Sequence, residues 1–347
     1  MYLNISSARF FLLLLTLALS PASALAEETL RVLAWPGYAD PDMVQTFEQR
    51  YKVKVEVTLI SSDDVMWGRL SARQGGDFDV FAVNTAELQR YIDSGISAPL
   101  IPANIPNTAK QLPRFRDLST IPGITRKGAV YAIPYTYSEM GLIYDRKVFK
   151  IPPDSFASMW DKRFKGRVLA YRASEHNFSL AAMALGLKDP FHIPEGDFRR
   201  LSRHLVELRR NVLTFYSQPE EATELFMQNH IALLFANYGS QQVSMLRKAG
   251  ADIGYVVPKE GALAWLDCWS MTRGVKNQKL AETWINYTLE AQVSRTLTER
   301  QGLSNTLEDP PTMRNTDKII WLRQVEDVSK RKSLWDKIIS GDGPEKF

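Results

Sequence analysis

The segment of residues 261–271, GALAWLDCWSM, places a single carboxylate among large apolar side chains. Asp267 lies between two indoles, Trp265 and Trp269, and the chain's only cysteine, Cys268, follows it directly. A carboxylate is seldom placed in such a setting without a partner, because removing its charge from water is costly. The pattern therefore predicts that Asp267 has a specific partner.

The rest of the sequence has no clear motif for metal binding, nucleotide binding or covalent catalysis. No two of its four histidines have metal-ligand spacing; these are His176, His192, His204 and His230. The sequence has no Gly-x-Ser-x-Gly, phosphate-loop or dinucleotide glycine motif. The acidic pairs at 63–64 and 220–221 are typical of helix starts rather than of catalytic dyads. We therefore expect no catalytic residue, no metal site and no cofactor.

The first 26 residues have the layout of a secretory signal peptide. Arg9 precedes an apolar run at 10–19, Pro21 interrupts it, and small residues at 24–26 suit a cleavage site. The alternative, a membrane anchor, needs about 20 apolar residues, and this run is shorter. We therefore expect a soluble mature protein in the periplasm that begins near residue 27.

Composition narrows the class of protein further. The formal net charge is +4, from 43 Lys and Arg against 39 Asp and Glu, and no dense basic block argues for nucleic acid. One cysteine cannot form an intramolecular disulfide, so an exported chain of this kind depends on its core for stability. The mature length of about 320 residues is enough for such a core and suggests two lobes.

Predicted strands and helices alternate along the mature chain, which favours an α/β fold with a largely parallel sheet. Strands are expected at 29–35, 52–60 and 77–83, and a long helix at 280–301. Pro41 suits the first position of a helix that Asp40 caps, and Asn84 with Glu87 has capping-box spacing.

Two extended runs that contain proline are candidate crossings between lobes, at 131–137 and 254–261. The alternative is that both are ordinary strand ends. The segment 199–210, RRLSRHLVELRR, predicts a basic amphipathic helix. It is either a solvated helix face or a docking surface for a transporter or anionic lipid.

The order and spacing of several segments resemble the periplasmic solute-binding proteins of the spermidine/putrescine type, the receptor components of ABC importers. These segments include LRVLAWPGYADPDMVQTFEQRY, GDFDVFAVNTAELQRYIDSG, GAVYAIPYTYSEMGLIYD and EGALAWLDCWSMTRGVKNQKLAETW. The resemblance implies a two-lobed type II periplasmic-binding-protein fold with two hinge crossings and a ligand cleft between the lobes. It also implies a monomer without enzyme activity whose partners are a small ligand and a membrane permease and ATPase.

The predicted division of the chain follows from this resemblance. After the signal peptide, residues 27–132 and 258–310 are expected to form the first lobe and residues 133–257 the second. Residues 311–347 are expected to be a helical segment that packs on the lobes.

The family's ligand contacts map onto two motifs of this chain. Its Trp-x-x-Tyr motif corresponds to Trp35 and Tyr38, and its Trp-x-Asp motif to Trp265 and Asp267. A cleft for an aminated ligand needs carboxylates for ammonium groups and aromatic faces for methylenes. Asp267 is thus expected to meet an amine.

Other positions depart from the polyamine-binding pattern. Residues 36–37, Pro-Gly, replace an expected acid, and Glu87 lies close to where the family has an aromatic residue after the third strand. Arg172 or the following alanine replaces one acid of the second lobe, and His176 replaces another. The family's tryptophan near 236 is alanine here, with Tyr238 close by. Tyr135 lies in the candidate crossing at 131–137, and it is expected to be either a ligand contact or a packing residue of the hinge.

These departures leave two hypotheses for the ligand. A zwitterion such as 4-aminobutyrate or an aminoalkylphosphonate would place its ammonium at Asp267 and its acidic end at Arg172, since arginine and a helix start both favour anions. The second hypothesis is that the ligand is a polyamine such as putrescine or spermidine, bound in a different way. Arg172 could instead pair with Glu175 or face solvent. At the level of function, the alternatives to transport are a ligand-presenting sensory receptor and a secreted two-lobed enzyme.

Overall fold

The computed structural model describes residues 28–172, 174–309 and 318–347, so the predicted signal peptide lies outside the described residues. The strands of this part are β1 (Thr29–Ala34), β2 (Lys54–Leu59), β3 (Val80–Asn84), β4 (Ser97–Ala98), β5 (Thr125–Arg126), β6 (Ala129–Val130), β7 (Ala132–Met140), β8 (Leu142–Asp145), β9 (Val168–Tyr171), β10 (Thr214–Tyr216), β11 (Leu233–Phe235), β12 (Ile253–Val256), β13 (Ala262–Thr272), β14 (Ser304–Asn305) and β15 (Ile319–Trp321). Its α-helices are α1 (Pro41–Tyr51), α2 (Asp63–Ala72), α3 (Thr85–Asp93), α4 (Pro113–Arg116), α5 (Ser174–Ala184), α6 (Phe198–Asn211), α7 (Pro219–Gln228), α8 (Gly239–Lys248), α9 (Gln278–Thr288), α10 (Ala291–Gln301) and α11 (Val328–Ser340).

The first lobe is built on the larger sheet, in the order β14-β7-β13-β3-β1-β2, with β4 and β15 also paired to β13. Strands β1, β2 and β3 are parallel, whereas the long strand β13 runs antiparallel to β3 and β7. Helices cover both faces of this sheet. Val32 of β1 joins Phe47 and Trp284 in one core layer, and its neighbour Leu33 joins Met66 in the other. Burial on both faces explains the nearly unbroken apolar sequence of β1.

The second lobe is built on a smaller sheet in the order β10-β9-β11-β8-β12. Strands β9, β10 and β11 are parallel, and β8 is antiparallel to both of its neighbours. Its two faces are also buried in separate apolar cores. The predicted two-lobed α/β architecture is therefore confirmed.

The first crossing between the sheets lies later in the chain than the boundary predicted at residue 133. Strand β7 belongs to the larger sheet along its whole length, and the chain enters the smaller sheet only after Gly141. Pro134 is tolerated inside this strand because the register with β13 slips between Asp267 and Cys268, which leaves Tyr135 as an extra, bulged residue. The proline therefore marks a bulge rather than the hinge.

The second crossing lies between β12 and β13, at residues 257–261, within the predicted run at 254–261. A third crossing, which the sequence did not predict, joins β15 in the larger sheet to α11, which packs on α5 and α6 of the second lobe. The C-terminal segment is therefore not wholly helical, and its residues 311–317 lie outside the description. The long helix predicted at 280–301 is also two helices, α9 and α10, and α10 is capped by Gly302 in the left-handed region.

Substitution of Gly141 by alanine is expected to lower the free energy of unfolding by about 1–3 kcal/mol. A Cβ at this position would lie 2.5 Å from the carbonyl oxygen of Val256 and 2.7 Å from the ring of Tyr255, so the two crossing segments would have to separate. Urea denaturation measures the effect. The control is Gly68→Ala in α2, where a Cβ meets no atom within 4 Å and stability should be equal or higher.

Candidate functional site

The candidate site lies where strands β1 and β3 end, at the edge of the larger sheet that faces the second lobe. Trp35 directly follows β1, and Asn84, the last residue of β3, is in register with Asp267 of β13. Trp265 is two residues before Asp267 and shares its strand face. The strand order thus brings together two motifs that are more than 200 residues apart in sequence.

A tight turn delivers Tyr38 to Asp267. The backbone N–H of Tyr38 donates to the carbonyl of Trp35 over 3.2 Å, and Gly37 has a φ of 86°. Pro36 in the second position and a positive-φ glycine in the third are the residues that a type II turn requires. The Tyr38 hydroxyl then donates to Oδ2 of Asp267 over 2.5 Å. The Pro-Gly pair therefore positions the tyrosine instead of supplying an acid.

Asp267 is only 8% exposed, and this burial controls its charge. Loss of water raises the pKa of Asp267 to about 7, although the hydrogen bond from Tyr38 acts in the opposite direction. Burial and the neighbouring carboxylate also raise the pKa of Tyr38 well above its usual value, so this hydroxyl remains a donor. A cation beside Asp267 would favour its ionised form, and the carboxyl group is therefore poised to respond to a positively charged ligand.

The aromatic residues around Asp267 form two layers. Tyr135 packs edge-on against Tyr38 with ring centroids 5.4 Å apart, and it also contacts the fully buried Trp269. Tyr135 is 1% exposed and lies behind Tyr38, which makes it a packing residue in this arrangement. Trp35 and Trp265 are only partly buried, and a ligand role for these indoles stays a prediction.

Trp265 connects the carboxylate strand to the second lobe. Its indole Nε1 donates to the backbone carbonyl of Asn237 over 3.0 Å. The adjacent Tyr238 donates its hydroxyl to the carbonyl of Ser217 over 2.8 Å and packs edge-on against Tyr171. Tyr238 therefore lies beside the contact between the lobes, with its hydroxyl already bonded within the second lobe.

Arg172 and Glu87 form contacts with residues other than Asp267. Arg172 is exposed at the end of β9, and its carbonyl accepts a hydrogen bond from the Trp335 indole over 2.8 Å. The alternative pairing of Arg172 with Glu175 concerns a side chain outside the described residues. Glu87 forms an ion pair of 2.9 Å with Arg90, while its backbone N–H is capped by Asn84. A ligand role for either residue stays a prediction.

Asn237 is a residue that the sequence did not single out. No local motif marks it, because its importance comes from the contact with Trp265 across the lobes. Within the described ranges, no cluster of three or more His, Cys, Asp and Glu side chains could hold a metal ion. The same ranges contain no helix long and apolar enough to cross a membrane.

Two α/β lobes joined by strand crossings, with a buried carboxylate and aromatic faces where the lobes meet, are typical of a bilobal ligand-binding protein. The sequence profile of the bacterial extracellular solute-binding protein family matches residues 42–316. The chain belongs to this family, and it is a solute-binding protein.

Similar proteins agree with this assignment. A spermidine/putrescine-binding periplasmic protein of Haemophilus influenzae is 24% identical over 279 residues, which are 80% of this chain and 75% of that protein. The structure of the spermidine/putrescine ABC transporter substrate-binding protein PotD from Streptococcus pneumoniae matches with a TM-score of 0.74 at 20% identity, over 90% of this chain and 99% of the other. A GABA receptor structure matches with a TM-score of 0.70 at 16% identity, over 90% and 97% of the two chains.

The ligand-free protein should become less stable as pH rises through the range in which Asp267 ionises. Because the folded-state pKa of about 7 lies above the usual value of 3.8, the folded state binds more protons than the unfolded state between these limits. Asp267→Asn removes this decline, so its stability gain over the wild type should grow by about 1–3 kcal/mol between pH 5 and pH 8. Urea denaturation at pH 5 and pH 8 measures the difference, and an equal gain at both would contradict the raised pKa.

Proposed function

We propose that the chain is the periplasmic substrate-binding component of an ABC importer for a small aminated solute. The observation that carries the proposal is the buried Asp267 carboxylate, which has a tyrosine donor on one side and partly exposed indoles beside it. A charge-assisted hydrogen bond from an ammonium group would satisfy this carboxylate and orient the ligand. The name of the Haemophilus influenzae relative supports the same ligand chemistry and export to the periplasm.

The charge distribution of the cleft favours a ligand with one ammonium group and an acidic end over a long polycation. Asp267 is a buried central carboxylate, whereas Glu87 is already paired with Arg90. Arg172 directly follows β9 of the second lobe and is exposed. A second ammonium near Arg172 would be repelled, but a carboxylate there would be attracted. A short ω-amino acid such as 4-aminobutyrate fits this arrangement, and putrescine is the second candidate.

Titration calorimetry on the mature chain from residue 27 tests both parts of the proposal. The ligands are 4-aminobutyrate, putrescine and spermidine, with butyrate and butylamine as matched controls that each retain one end of the amino acid. We expect 4-aminobutyrate to bind more tightly than either control, because it engages both Asp267 and Arg172. Tight putrescine binding without a response to 4-aminobutyrate would overturn the zwitterion, and no amine binding would overturn the aminated solute.

Delivery to a membrane transporter requires a separate measurement. Uptake of the bound ligand is measured in cells that lack this chain and in cells that lack a candidate permease, and it distinguishes transport from sensing. Loss of uptake in both strains is expected for an importer. Normal uptake with a lost transcriptional response would instead favour a sensory receptor.

A further inference from the structure

Asn237 has an unusual combination of burial and bonding. It lies two residues after β11, at the edge of the smaller sheet, and is 6% exposed. Its backbone is fixed, since its N–H donates to the Tyr216 hydroxyl over 3.0 Å and its carbonyl accepts from Trp265. The side-chain oxygen Oδ1, however, is buried and has no hydrogen-bond partner among the described residues.

Two of the donors near this oxygen are already used. The Tyr216 hydroxyl donates to the carbonyl of Phe235, and the backbone N–H of Tyr238 donates to Oε1 of Gln242. A buried amide oxygen without a donor is destabilising, and most such groups in proteins have a partner. The Nε2 of Gln242 is also buried without a partner, but it does not bond this oxygen, so we look outside the chain for the missing donor.

The position of Asn237 indicates where that donor would lie. Trp265, whose indole meets the Asn237 carbonyl, shares one face of β13 with Asp267. The backbone of Asn237 thus meets β13 on the face from which Asp267 projects, and we take its side-chain oxygen to border the same ligand site. An ammonium group carries three N–H donors and can serve both acceptors at once.

We propose that Asn237 is a specificity-determining residue whose side-chain oxygen accepts a hydrogen bond from the ligand's ammonium group, opposite Asp267. This assignment rests on the proposed function, from which it takes the aminated ligand. Because the two acceptors belong to different lobes, one ammonium bridges them and favours the closed state. Because Asn237 is neutral, it adds an acceptor without a second negative charge, which limits the preference for diamines.

Two variants test the assignment by calorimetry with 4-aminobutyrate and putrescine. Asn237→Leu keeps the volume and the backbone carbonyl that binds Trp265, and it should weaken both ligands about tenfold. Asn237→Asp adds a carboxylate and should shift the ratio of the two affinities towards putrescine by about tenfold. Asn229→Leu, at the end of α7 in the same lobe, is the control and should bind like the wild type.

The outcomes separate this assignment from the proposed function. Amine binding by the wild type together with unchanged affinities in both Asn237 variants would overturn the assignment alone. If Asn237→Leu does not fold, as judged by its melting temperature, an unshifted ratio in Asn237→Asp still overturns it. Failure of the wild type to bind any amine would overturn the proposed function and this assignment with it.

Discussion

Replacing Asp267 by asparagine is expected to weaken the binding of any aminated ligand by at least about thirtyfold, because truncation of one partner of a buried charge pair costs about 2–5 kcal/mol. Asparagine preserves the shape of the side chain and can still accept the hydrogen bond from Tyr38, so the loss reports the charge. Titration calorimetry with the amine that the wild type binds most tightly measures it. Unchanged affinity would show that the ligand site lies elsewhere.

The pH dependence of this binding provides an independent check. Without ligand, the pKa of Asp267 is about 7, and an adjacent ammonium must lower it. Ligand binding therefore releases a proton below pH 7, and wild-type affinity should fall by up to about tenfold for each pH unit below that value. The Asp267→Asn variant should lose this dependence. Asp64→Asn, an exposed acid in the first turn of α2, should retain both the affinity and its pH dependence.

The second large effect is expected in the C-terminal crossing. The Arg331 guanidinium is fully buried and forms hydrogen bonds of 2.8 and 2.7 Å with Glu326. It also donates to the hydroxyl of Ser179 and the carbonyl of Pro190 in the second lobe. Glu326→Leu leaves this buried charge without its carboxylate and should lower the free energy of unfolding by about 3–5 kcal/mol. Urea denaturation measures the loss.

A double-mutant cycle distinguishes this ion pair from general damage to the segment. The variant with both Glu326→Leu and Arg331→Leu should be more stable than the sum of the single effects implies, since no buried charge is left unpaired. Asp336→Ala breaks an exposed pair with Lys332 on the same helix and should cost no more than about 0.5 kcal/mol. Additive effects of the two leucine variants would contradict a coupled buried pair.

The same crossing contacts both walls of the candidate site. The backbone N–H of Leu322 donates to the carbonyl of Ala264, which precedes Trp265, and the Trp335 indole donates to the carbonyl of Arg172. Loss of the Glu326–Arg331 pair should therefore disturb ligand affinity as well as stability.

Two arginines of α6 also bind the C-terminal segment, because Arg199 and Arg203 donate to backbone carbonyls near the C-terminus. This basic helix face is thus partly occupied by the chain's own tail.

Local sequence patterns were sufficient for most elements of the first lobe. The first strand, the helix that begins at Pro41 and the Asn84 cap of α3 were all predicted, because each depends on residues within one turn or strand. The prediction of a single long helix at 280–301 was wrong. The break between α9 and α10 contains no proline or glycine that would mark it in the sequence. The hinge predicted at Pro134 was also wrong, since a bulge set by pairing with β13 accommodates that proline.

For the candidate site, the sequence by itself determined that Asp267 needs a partner and that Trp265 shares its face, because alternation along a strand is a local property. Resemblance to a family added Trp35 and Tyr38. Only the tertiary structure decided that Tyr38 is the donor to Asp267, that the Tyr135 ring packs against Tyr38 and that Asn237 meets Trp265. These contacts join residues far apart in the chain, and their geometry depends on strand order, register and the approach of two lobes, which no local pattern encodes.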